Sequence, residues 1–209
     1  MTTKPSNLKK PSRRRTDKAE SILDGAMQEF MVHGYAAASM DRIASAGGVS
    51  KPTLYNYFKD KESLFVVLIE KLVEYRFQHF FSPQEQRPPI APGQGEALLR
   101  ELAHKVVDNS AKQPEFLNFM RIILGESGRF PELARTFIRT VEATAFKSLT
   151  HLFANCPDLK TKDPEVSARI FVGTMVHFMI TQKLLHGEDI VPMDSERLID
   201  GLVECLLQK

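Results

Sequence analysis

The chain has 209 residues, of which 43% are hydrophobic and 26% charged; that is enough apolar matter to bury a core, which excludes a disordered polymer. The net charge of +2 hides an asymmetry, since residues 1–61 hold 11 Lys/Arg against 6 Asp/Glu and the remainder 17 against 20. A basic N-terminal third on an acidic remainder points to one segment built for a polyanion.

Residues 1–15 (MTTKPSNLKKPSRRR) are polar, proline-interrupted and cationic, and predict a disordered basic arm, either a plain solvated tail or one that touches DNA. From Thr16 to His33, Ala19, Ile22, Leu23, Ala26, Met27 and Phe30 recur at three- and four-residue steps, the mark of a one-faced helix. Thr16 is its expected N-cap and Gly34 its terminator. Ser39 is placed to cap a short helix over Met40 to Ala46, which Gly47 and Gly48 break. Ser50 then caps a second short piece, SKPTLYNYF, with Pro52 in its first turn, where a missing N–H does no harm. Two short helices across a glycine turn form a helix-turn-helix pattern. Asp60 caps a long helix over 61–80, and residues 82–95, with four prolines and two glycines, read as an irregular connector. Further helices are expected at 96–110, 114–125, 131–154, 164–186 and 195–208; Pro114-Glu115, Pro131-Glu132 and Pro164-Glu165 are start signals. No alternating run long enough for a strand occurs, so the expected class is all-α: a helix-turn-helix domain over 16–60 and a larger helical domain over 61–209, about nine helices in total.

The stretch Ile22 to Phe65 resembles the DNA-binding domain of the TetR family of transcriptional regulators. The matching positions are Phe30 to Gly34, then Ile43-Ala44-Ser45-Ala46-Gly47-Gly48-Val49-Ser50, then Leu54-Tyr55-Asn56-Tyr57-Phe58-Lys59-Asp60-Lys61-Glu62-Ser63-Leu64. Two departures are the doubled glycine of AGGVS and Pro52, which stands where several relatives have glycine. The segment Arg121 to Phe137 looks like the AefR-like branch of the family. The resemblance implies a homodimeric, sequence-specific DNA-binding regulator, by family default a repressor, released from a near-palindromic operator by a small hydrophobic or amphipathic effector.

On the DNA-binding side, Ser39 and Ser50 stand at helix N-termini, as phosphate ligands or as plain caps. Lys51, Thr53 and Asn56 are the polar residues of the second short helix; Lys51 reaches a guanine edge or a phosphate, and Thr53 offers a methyl and a hydroxyl. By resemblance Tyr55 and Tyr57 reach the phosphate backbone, although Tyr57 fits equally as packing against the first helix. Lys61 matches a family lysine that contacts a phosphate, and otherwise reads as a solvated charge. Arg13, Arg14 and Arg15 are expected in the flanking minor groove. Leu54 and Phe58 read as core.

In the larger domain Phe116, Phe119, Met120, Ile123, Phe146 and Met175 are read as lining an adaptable apolar cavity, or as ordinary core. His104, His177 and Glu126 are the polar groups expected to orient a ligand there. The resemblance puts the last two helices in a four-helix dimer interface, through Val166, Ile170, Phe171, Thr174 and Phe178 on one and Leu198, Leu202 and Leu206 on the other. Nothing in the sequence calls for a cofactor. The six histidines form no i, i+4 pair, and Cys156 and Cys205 are too few for a thiolate zinc site, so no metal is expected. Gly125-Glu126-Ser127-Gly128 lacks the strand and spacing of a nucleophile turn, and an enzyme is not expected. Residues 1–15 lack the apolar run of a signal peptide, and no stretch nears the roughly 18 apolar residues of a membrane span, which predicts a cytoplasmic protein.

Overall fold

A computed structural model describes residues 13–78, 90–112, 114–141, 145–160 and 162–207. Among them the regular structure is all helical, and the nearest thing to a strand is one isolated antiparallel bridge between Leu159 and Leu207. The helices are α1 (Arg13–Ala37), α2 (Met40–Ala46), α3 (Lys51–Tyr57), α4 (Lys61–Gln78), α5 (Gly95–Lys112), α6 (Pro114–Glu126), α7 (Pro131–Val141), α8 (Lys147–Ala154), α9 (Pro164–Phe178) and α10 (Ser195–Leu206). The chain divides into two compact units between Leu68 and Ile69.

In the first unit, the expected stripe of α1 is buried: Ile22, Leu23, Ala26 and Phe30 all face inward. The helix includes Arg13, three residues before the expected Thr16, because arginine is a good helix former and Arg13 to Arg15 contain no breaker. Arg13, Arg14 and Arg15 therefore stand in its first turn; residues 1–12 of the expected arm lie outside the described residues. Gly34 interrupts α1 with φ 72° and ψ 170°, a region that glycine alone enters cheaply. One more helical turn follows it to Ala37. Ile43 and Ala44 of α2 and Leu54 of α3 complete this core with Leu64 and Phe65 of α4. Phe65 meets Phe30 edge-on (centroids 5.1 Å apart) and Tyr35 likewise (4.9 Å). That cluster is why the first unit extends into α4 instead of ending before it, as the sequence suggested.

The second unit has one main core, formed by Leu99 and Leu102 of α5, Leu149 and Phe153 of α8, Phe171 and Met175 of α9, and Ile199 and Leu202 of α10. Two expected helices differ from the observed ones. The single helix expected over 131–154 is two helices, α7 and α8; residues 142–144 lie outside the described residues, and a π-type turn at Ala145 and Phe146 precedes α8. The helix expected over 164–186 is α-helical only to Phe178, then widens to a π-helix over Met179–Leu184. There Leu185 N–H reaches back to Ile180 O at 2.9 Å. The wide turn persists because its last carbonyls have a partner: the Arg121 guanidinium donates to Lys183 O (3.2 Å) and Leu184 O (2.9 Å). His186 ends it at φ 56°.

Candidate nucleic-acid interface and ligand cavity

The two short helices are fixed by backbone contact. A Cβ on Gly25 would stand 2.4 Å from Gly47 N, and a Cβ on Gly47 would stand 2.8 Å from Ser21 O. The crossing of α1 and α2 therefore admits only glycine. Gly48, at φ 63°, then turns the chain toward Ser50. Ser39 caps α2 by accepting from Arg42 N–H (3.2 Å), and Ser50 caps α3 by accepting from Thr53 N–H (3.3 Å). Ser50 and Thr53 also share a hydroxyl–hydroxyl bond of 2.8 Å.

Beneath this surface lies a charged junction of residues that sequence reasoning did not assign a role, apart from Lys61. Glu29, buried in α1, accepts from Ser39 N–H (3.2 Å) and Arg42 Nε (2.6 Å), with His33 Nε2 3.6 Å from its second oxygen. Arg42 also donates to Ala37 O (2.5 Å). The Lys61 ammonium donates to Tyr35 O (2.7 Å), Ala36 O (3.1 Å) and Ala38 O (3.0 Å), and stands 4.6 Å from the centre of the Tyr35 ring. Carbonyls 35 to 38, at the open C-terminal end of α1, are thus all taken up by two cations, one from α2 and one from α4. An ammonium has three donors; those of Lys61 point at the protein, where the resemblance had implied a phosphate. The sequence signals were present but faint: Gly25 inside a strong helical run, and Glu29 at an otherwise apolar position.

Ser50, Lys51, Tyr55 and Asn56 are exposed, whereas Thr53 and Tyr57 are half-buried. Lys51 is paired with Asp41 of α2 (Nζ–Oδ1 2.7 Å), and that hydrogen-bonded partner raises its pKa above the ordinary value. Tyr57 lies against Phe58, ring centres 6.4 Å apart. Leu54 and Phe58 are buried, as expected of core. The side chains of Arg13, Arg14 and Arg15 lie outside the described residues.

In the second unit a cavity of about 400 Å³ is enclosed by α5, α6, α7, α8, α9 and the π-helix. Of the expected lining residues, Phe116, Met120, Ile123, Phe146 and Met175 are on its wall. Phe119 is not; it is fully buried in the packing behind α6. All three expected polar orienters are corrected. His104 lies outward beside Glu196 (3.4 Å), Glu126 is 3.9 Å from Arg129, and His177 is exposed. The helical period turns His104 and His177 outward, whereas Glu126, two turns on from Phe119, shares that residue's side of α6 and not the cavity wall. Among the described residues the wall is apolar except for Ser127, and it reaches the surface at Leu124, Ile138 and Val176, which are exposed.

The expected dimer residues separate by face. Phe171, Phe178, Leu202 and Leu206 are buried inside the second unit and cannot meet another chain. Val166 and Ile170 are each 44% exposed, and Thr174 and Leu198 are half-buried. Among the described residues no group of three or more His, Cys, Asp and Glu is arranged to hold a metal, and no helix is long and apolar enough to cross a membrane.

Comparison with known proteins follows this division of the chain. The profile of bacterial regulatory proteins of the tetR family matches residues 22–68, and that of the AefR-like transcriptional repressor C-terminal domain matches residues 97–209. The chain is 38% identical over 200 residues to the uncharacterized HTH-type transcriptional regulator YhgD of Bacillus subtilis, covering 92% of this chain and 96% of that one. It is 38% identical over 60 residues to the HTH-type transcriptional activator FasR of Mycolicibacterium smegmatis, 29% of this chain and 27% of that one. The solved structure of the flavonoid-responsive regulator FrrA is similar with a TM-score of 0.70 at 29% identity, over 93% of this chain and 99% of that one.

Proposed function

The chain belongs to the tetR family of bacterial regulatory proteins, DNA-binding transcriptional regulators of the helix-turn-helix type, and on that premise we propose that it is a repressor released from its operator by a small hydrophobic or amphipathic effector. The observation that carries this reading is the apolar cavity of about 400 Å³ in the same chain as the helix-turn-helix, a volume in the range of ligand sites. The AefR-like repressor profile across residues 97–209 favours repression.

In this reading Lys51, Thr53 and Asn56 of α3 read base edges, and Lys51 exchanges Asp41 for DNA as it docks. Ser39, Ser50, Tyr55 and Tyr57 contact phosphates, and Arg13, Arg14 and Arg15 follow the flanking minor groove. Lys61 is a positioning residue that fixes the end of α1. Two copies pair through the exposed face of α9 around Val166, Ile170 and Thr174, with Leu198 of α10, so that two α3 helices meet a near-palindrome in the cytoplasm. The helix-turn-helix domain and the effector domain share α4, which begins in one compact unit and ends in the other. An effector that favours a displaced α4 changes the spacing of the two reading heads, with a coupling of about 1–3 kcal/mol, roughly 5- to 150-fold in DNA affinity.

Selection of bound sequences from random duplex DNA, followed by titration of the winner at two salt concentrations, tests the first half. A near-palindrome bound with steeply salt-dependent affinity is expected. Recovery of no preferred sequence would overturn the regulator reading. A ligand verified in the cavity that leaves operator affinity unchanged would overturn the release mechanism.

A further inference from the structure

Ser127 is the one polar side chain on the cavity wall among the described residues. It stands just past the C-terminus of α6, the negative end of the helix dipole. Its hydroxyl proton is already given to Leu124 O at 2.8 Å. What the hydroxyl turns to a ligand is therefore a lone pair. Nearby backbone N–H groups are committed too: those of Arg129 and Phe130 close on Glu126 O at 3.0 and 2.8 Å. Polarity at this end of the cavity is thus of one kind, an acceptor in a weakly negative field.

The remaining wall, including Phe116, Met120, Phe137 and Met175, is hydrocarbon or thioether. A carboxylate buried here would find no counter-charge on the wall among the described residues and would face the negative end of a helix. A sugar or polyphenol would leave hydroxyls unpaired, each costing more than a good contact returns. We propose that the cavity takes an uncharged, largely hydrocarbon molecule with a single hydroxyl or N–H donor, which it directs to Ser127 Oγ. The inference rests on the reading of this cavity as an effector site and adds the ligand's class and the residue that orients it. The exposed apolar side chains of Leu124, Ile138 and Val176 mark the entrance, so such a molecule passes from water to the interior along carbon. The methionines let the wall adapt to its shape.

The test uses the full-length protein at pH 8 with three probes of one chain length: 1-decanol, its methyl ether and decanoate. Affinities are read from the rise in melting temperature with probe concentration. The alcohol is expected to bind about three- to tenfold more tightly than the ether, the value of one hydrogen bond. Decanoate is expected to bind about tenfold or more weakly than the alcohol. Ser127→Ala brings the alcohol to the level of the ether and leaves the ether unchanged, whereas Ser127→Thr keeps the preference. Because the alcohol-to-ether ratio is read within one variant, a loss of overall stability does not disturb it. Ala134→Trp, which fills the cavity from α7, abolishes all binding. Decanoate bound as tightly as the alcohol, a preference that survives Ser127→Ala, binding that survives Ala134→Trp, or no binding by any probe would each overturn the proposal. Decanol bound as described while operator affinity stays constant supports this site and overturns the release mechanism alone.

Discussion

At position 25 a methyl group has nowhere to go. A Cβ there meets the backbone of Gly47, which cannot rotate aside as a side chain can. Gly25→Ala is expected to cost about 1–3 kcal/mol or more by forcing α1 and α2 apart, read as a lower melting temperature with weakened operator binding. Gly125 is the control: a Cβ built there meets nothing within 4 Å, so Gly125→Ala in α6 should gain about 0.5–1 kcal/mol. Lys61→Met removes a cation that donates to three carbonyls and should cost about 1.5–3 kcal/mol. If Lys61 serves only the fold, the slope of operator affinity against salt stays unchanged; a direct phosphate contact would lower it by about 1. Asp158 gives a pH signature. N–H groups of Gly93 and Gly95 hold its carboxyl below the ordinary 3.8. It thus binds a proton less readily folded than unfolded, so its stabilisation is in force above pH 3.8 and is lost as pH falls through the lower folded value. Asp158→Asn should flatten the acid limb of the stability profile. Caps such as Ser39, Ser50 and Asp60 were legible in the sequence because donor and acceptor lie three residues apart. The pairing of Gly25 with Gly47, and of Lys61 with the end of α1, was not, because only the folded chain brings them together.

Among the elements, α2, α3 and α6 have bounds that their caps and prolines announce, and these the sequence shows within a residue or so. The π turns at Ala145–Phe146 and from Met179 are hidden, since apolar residues continue through both. What changes there is the backbone, held by a partner such as Arg121 far along the chain. The same blindness affects α9, which is apolar on two faces: Phe171 and Phe178 belong to its own core, and Val166 and Ile170 do not. Periodicity cannot say which face meets which neighbour. At α3, Asn56 is exposed beside Tyr55 and buries nothing. Asn56→Ala should leave the melting temperature nearly unchanged while costing about 1–3 kcal/mol of operator affinity and relaxing the preference at one base position, read by repeating the selection with the variant.

At the scale of the whole molecule, the proposed dimer would owe its sequence-specific grip to two reading heads. Ile170→Asp places a charge on the exposed face of α9 without entering the core. Sedimentation should show monomers with intact helical circular dichroism, and operator affinity should fall by at least tenfold, since one α3 contacts only a half-site. Unchanged dimers would move the interface elsewhere. The cavity has a different consequence, for what the protein is able to discriminate. Apart from the contact at Ser127, the described wall measures bulk. Each methylene it takes from water contributes about 0.8 kcal/mol, roughly fourfold in affinity, and one methylene too many or too few is penalised only modestly. As the effector site proposed above, it would respond to a homologous series of single-donor chains, with a threshold concentration that drops in even steps as the chain lengthens until the walls are full.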